Sequence, residues 1–112
     1  MGFTSIPAPP RNACIDQRKA LLAQLATLAD QLKSGKAGLD ASDAALATQK
    51  AQIASLEARY PGGMPPDVYA TYKGMVDRYN AGVAAARTRL AAYNVLVDQN
   101  NGVVDQVNRL LC

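Results

Sequence analysis

Hydrophobic residues recur every seven positions along most of this chain, and that period leaves it few ways to fold. In the first half, Leu25, Leu32, Leu39, Leu46, Ile53 and Tyr60 form one row. Cys14, Leu21, Leu28, Gly35, Ser42, Gln49 and Leu56 form a second. In the second half the rows are Val76, Val83, Leu90, Val97, Val104, Leu111 and Tyr72, Tyr79, Ala86, Tyr93, Asn100, Val107. Rows offset by three and four residues lie on one stripe of an α-helix, as the a and d positions of a coiled coil require. A short echo, VDRYN at 76, VDQNN at 97 and VDQVN at 104, follows the same period and is too short for a solenoid unit. The composition agrees: 49% of residues are apolar and only 5% aromatic, with Ala, Leu and Val dominant, a helix-forming mixture too apolar for disorder.

The two halves are separated by Tyr60-Pro-Gly-Gly-Met-Pro-Pro-Asp67. Gly62 and Gly63 stop the first helix, and Pro65, Pro66 and Asp67 suit the first turn of the next, where a missing N–H costs nothing and a carboxylate meets the positive helix end. The expected organisation is all-α: a Pro-rich flexible arm over 1–10, a helix over 11–59, a turn over 60–66 and a helix over 67–112. Two such helices form a long antiparallel coiled-coil-like hairpin, each about 70 Å long at the usual rise. A rival arrangement of three helices breaks the first half at 34–38, Ser-Gly-Lys-Ala-Gly. The Leu25–Leu32–Leu39–Leu46 row crosses that segment without a change of phase, which favours a continuous helix.

In an antiparallel hairpin, facing residues keep a constant sum of positions. A sum of about 125 pairs each a with a d. It sets Leu32 against Tyr93 and Leu46 against Tyr79, and in the middle it gives the small residues Gly35 and Ser42 the larger Leu90 and Val83 to face. The same register carries Cys14 to the level of Leu111, beside Cys112. A Cys14–Cys112 disulfide is therefore expected at the open end, and with it an oxidising, extracytoplasmic compartment, periplasmic or secreted. Two free thiols would point to the cytoplasm instead. The polar seam residues Gln49 and Asn100, and Arg18 at the base, could be read as a ligand site, but buried amides at a or d positions more simply fix register.

The chemistry open to this chain is narrow. It has no His and two Cys, so neither a Ser-His-Asp relay nor a four-thiolate zinc site can be built. The carboxylates are dispersed, and Asp40 and Asp43, on neighbouring turns, have no base beside them. No enzymatic activity, cofactor, metal or small-molecule substrate is expected. The net charge of +3 comes from basic residues strewn singly among acids, not from the patch that phosphate binding needs. Nucleic-acid binding is therefore not expected, and weak binding to a nucleic acid or another anionic surface remains only as a rival reading. No apolar run reaches the roughly 20 residues of a membrane span.

Recognition of another protein is the expected role, with two candidate surfaces. At the tip, Tyr60, Met64, Tyr69 and Tyr72 gather around the turn, and Tyr and Met are common contact residues. At the base, Ile15 and Leu22 flank one helical stripe while Leu96, Val103 and Leu110 flank the other, giving apolar strips that self-association into a four-helix bundle would cover. In outline the expected hairpin is similar to those of bacterial secretion and efflux adaptors, which dock a partner through the tip. The Arg, Leu and Ser pattern of those tips is absent from Tyr60–Tyr72, so the resemblance implies architecture and assigns no family. The chain reads as a non-enzymatic structural or protein-binding module. An accessory subunit buried along its length in a larger complex is the alternative.

Overall fold

A computed structural model describes residues 11–112, and the arm expected over 1–10 lies outside the described residues. Two helices make up the fold: α1, Arg11–Arg59, and α2, Pro66–Arg109. α1 runs without interruption through 34–38, so the three-helix arrangement is set aside. Two glycines weaken a helix by about 2 kcal/mol relative to alanine, which a continuous packed seam offsets. α2 ends three residues short of the expected 112, and Leu110 to Cys112 follow it as non-helical chain.

The link between the helices is built as its residue types dictate. Arg59 stands in the last turn of α1, where a cation meets the negative helix end. The Gly63 amide donates to the Tyr60 carbonyl at 3.2 Å. Gly63 has φ of 121°, a value that L-residues rarely adopt. The Pro65 carbonyl accepts from the Tyr69 amide at 2.8 Å, opening the ladder of α2, and Pro66 takes the first helical position with Asp67 beside it.

The chain divides into two compact units. The first joins 11–32 to Val95–Cys112. Its buried residues are Leu21, Leu28 and Val103, with Leu25, Leu96, Val107 and Leu110 packed against them. Cys14 and Cys112 are bonded, their sulfurs 2.06 Å apart and their Cα atoms 5.9 Å apart. On α1 the inward positions are those of the heptad rows. On α2 the Asn100–Val107 row is kept, but the core takes Leu96, Val103 and Leu110 as its companion; of the expected row Val97 stays half-buried, while Val104 and Leu111 are exposed. Val103 is 6% exposed, against 36% for Val104 and 98% for Leu111. Two rows flank Asn100 and Val107, and the helix can turn only one of them fully inward. The row taken has two leucines on or against the seam, and each added buried methylene contributes about 0.8 kcal/mol. Leu110 and Leu111 both follow the end of α2, and of the two Leu110 packs on the core while Leu111 is exposed.

The second unit is Lys33–Asn94, and it pairs the helices in a register different from the expected one. A Cβ placed on Gly35 would lie 3.1 Å from Tyr93 Cδ2, and one on Gly82 would lie 2.9 Å from Leu46 Cδ2. Tyr93 therefore covers Gly35 where Leu90 was expected, and Gly82 covers Leu46 where Tyr79 was expected. Both contacts sit three residues further along α2. The shift is close to one helical turn, so the same stripe still faces inward. It gives each of two bulky side chains a glycine to occupy, and it leaves Leu90 49% exposed. Ser42, expected to face Val83, accepts a hydrogen bond from Arg89 Nη1.

The glycines thus fall into two kinds, which substitution should separate. Gly38 and Gly74 have open space where a Cβ would go. Gly38→Ala and Gly74→Ala should each raise the unfolding free energy by about 1 kcal/mol through helix propensity alone. Gly35→Ala should lose that gain to Tyr93, and Gly82→Ala should push Leu46 aside. Urea midpoints of the four variants measure the difference, and equal gains at all four would show that these close contacts do not exist.

Candidate protein-binding surfaces

At the tip, the structure holds the aromatic residues on the start of α2 and on the link. Tyr69 is 55% exposed, whereas Tyr60, Met64 and Tyr72 are half-buried. The Tyr69 and Tyr72 rings lie 6.4 Å apart and tilted by 35°, a range at which aromatic pairs attract. The Tyr72 phenol is raised above its ordinary pKa of 10.0, first by partial loss of water, then by the Glu57 carboxylate, which disfavours the phenolate, and last by Tyr69. Of the four tip residues, Tyr69 offers the most open surface. Tyr60 and Tyr72 close the seam beneath it.

At the base, the sequence-derived strip on α2 is not an outward surface. Val103 belongs to the core, and Leu96 and Leu110 pack on it. The exposed apolar residues of α2 and its trailing segment in this unit are Val95, Val104 and Leu111, which do not share one face. On α1, Ile15 and Leu22 are exposed, as expected of flanking positions. Arg18 is exposed and Asn100 half-buried.

Gln49 lies on the seam of the second unit with its Oε1 buried and without a hydrogen-bond donor. An orphaned buried carbonyl costs about 1–3 kcal/mol. Gln49→Met keeps the unbranched shape and removes the orphan, so it should raise stability by about 1 kcal/mol, read from a urea midpoint. A lowered midpoint would mean that the amide holds a partner.

A third surface was not seen in the sequence. One flank of the second unit carries an open groove between the helices, about 590 Å³ at its widest stretch. Adjacent stretches share Gln52, Met75 and Gln49 and form one channel. Its α1 edge is Ala41, Ala45, Thr48, Gln52, Ser55 and Arg59, and its α2 edge is Thr71, Met75, Arg78, Gly82, Ala85 and Arg89. Each edge steps by four and three residues, the spacing of a single helix face. That spacing is visible in the sequence, but small and polar side chains give it no hydrophobic contrast.

The fold and surfaces define an antiparallel α-helical hairpin with a covalently closed base. Compared with known proteins, the chain matches no family model, no curated protein and no solved structure. Among the described residues, no helix is long and apolar enough to cross a membrane.

Proposed function

We propose that this chain is a non-enzymatic, extracytoplasmic helical-hairpin module that presents surfaces to another protein. The observation that carries the reading is the Cys14–Cys112 bond. A structural disulfide persists in oxidising compartments and is rare where glutathione keeps thiols reduced. The mechanism is presentation: paired helices hold Tyr69 and the residues around it in place, so that a partner meets a surface whose ordering entropy is already spent. The test is the intact mass of protein kept free of reductant and alkylated in denaturant. An unalkylated monomer supports the reading. Two alkylated thiols would return the chain to the cytoplasm. Pull-down with the Met64→Ala/Tyr69→Ala variant then locates the partner site, because loss of capture with unchanged folding assigns it to the tip.

A second reading, an accessory subunit packed into a larger complex, is favoured by the outward Ile15, Leu22, Val95 and Leu111. Its mark is aggregation of the isolated chain that a partner subunit relieves.

A further inference from the structure

We infer that the groove of the second unit is a docking channel for a third helix, one that carries carboxylates and belongs to a different protein. The groove lining includes Arg59, Arg78 and Arg89 and no Asp or Glu. The opposite flank of α1 behaves differently: at the same heptad spacing it alternates Lys36, Asp43, Lys50 and Glu57. The chain's overall mixture of charges is therefore sorted, with one side of this unit purely cationic.

The rest of the lining suits a helix. Thr48 and Thr71 donate their hydroxyls to the carbonyls of Ala44 and Asp67, at 3.1 and 3.4 Å. With those donors spent within their own helices, both residues can offer methyl groups to the groove. Ala45, Ala51 and Ala85 add little bulk, while Leu56 and Met75 supply apolar contact. Small residues at a helix pair let a third backbone approach closely. The edge from Thr71 to Arg89 spans about 27 Å, the length of a helix of roughly 18 residues. Arg78 and Arg89 stand about 16 Å apart along α2, so matching carboxylates would recur at about three-turn intervals.

A second copy of this chain is a poor occupant. Groove against groove would set six arginines together with no acid between them. An acidic helix complements the field and steers its own approach, as opposed charges do at protein interfaces. Arginine also binds carboxylates through two parallel bonds, which fixes a partner's register.

This inference rests on the reading of the chain as a protein-binding hairpin, but it uses neither the tip nor the disulfide. The probe is a displayed library of 20-residue helices with an Ala/Leu seam and the remaining positions randomised among Glu, Lys, Gln and Ala. It is selected on the full oxidised chain at physiological salt. The expected result is enrichment of Glu over Lys at spaced positions. The best peptide should lose at least about tenfold in affinity for the Arg59→Gln/Arg78→Gln/Arg89→Gln variant, whose helicity is checked first, and should shift the Met75 methyl signal in wild type. Recovery of no binder, absence of acidic enrichment, or unchanged affinity for the triple variant overturns the inference. Shifts at Met64 and Tyr69 in place of Met75 also overturn it while leaving the tip as the protein-binding site. Displacement of the peptide by a 20-base-pair DNA duplex would make the groove a phosphate surface and overturn it as well. Free thiols in the mass measurement would remove the extracytoplasmic reading without touching this result.

Discussion

Reduction of the Cys14–Cys112 bond should lower the melting temperature by on the order of 20 °C. The bond closes a loop with a sequence separation of 98 residues. In the chain-entropy model a loop of that length restricts the unfolded ensemble by about 4–5 kcal/mol. For a domain of this size each 1 kcal/mol moves the midpoint by about 4–8 °C, which gives the stated shift. The loss is large against the 5–15 kcal/mol that small domains typically hold in total. Cys14→Ser should reproduce the effect in oxidising buffer and should change little once the wild type is itself reduced. An equal loss from Cys14→Ser in both conditions would mean that the side chain matters for packing and the bond does not.

The second large effect separates two neighbouring valines. Val103→Asp should unfold the first unit, and Val104→Asp should be almost silent. A charge at Val103 enters a core made of Leu21, Leu28 and their packed neighbours, with no cation to meet it. Burial of an unpaired charge is among the few mechanisms that cost more than about 4 kcal/mol in a single substitution. At Val104 the carboxylate reaches water, and surface changes stay within about 0.5 kcal/mol. Circular dichroism melts of the two variants decide the point. The strict heptad reading demands the reverse order, so a silent Val103→Asp would restore the Val97–Val104–Leu111 row.

That pair also marks where the sequence was legible. The period of seven was sufficient for two helices, the stripe on α1 and the pairing of the cysteines, which follow from spacing, while the turn was legible from its Gly and Pro residues. The period was insufficient where two rows compete for one seam, because Leu96–Val103–Leu110 and Val97–Val104–Leu111 are both apolar and differ by a single methylene. The choice between them is made by packing, which depends on both helices at once. Register failed for the same reason. Gly35 was paired with Leu90 on a rule of constant sums, but the Tyr93 ring fills that space better. Among the surfaces, Tyr69 and Ile15 were identifiable because large residues on an outer face are conspicuous. The groove was not, since Ala, Thr and Gln signal nothing until two helices set them side by side.

The two glycine contacts in the second unit carry a consequence for sliding. A heptad pattern is nearly periodic under translation, so a hairpin built from it has many almost degenerate alignments separated by seven residues. Tyr93 over Gly35 and Leu46 over Gly82 break that degeneracy from opposite helices. A slip by one repeat moves Tyr93 onto Leu28 or Ser42, and Leu46 onto Met75 or Arg89, so that both bulky side chains lose their recess together. The pair acts as a key cut with two notches, and it selects one alignment out of a repetitive set without placing a single charge in the seam.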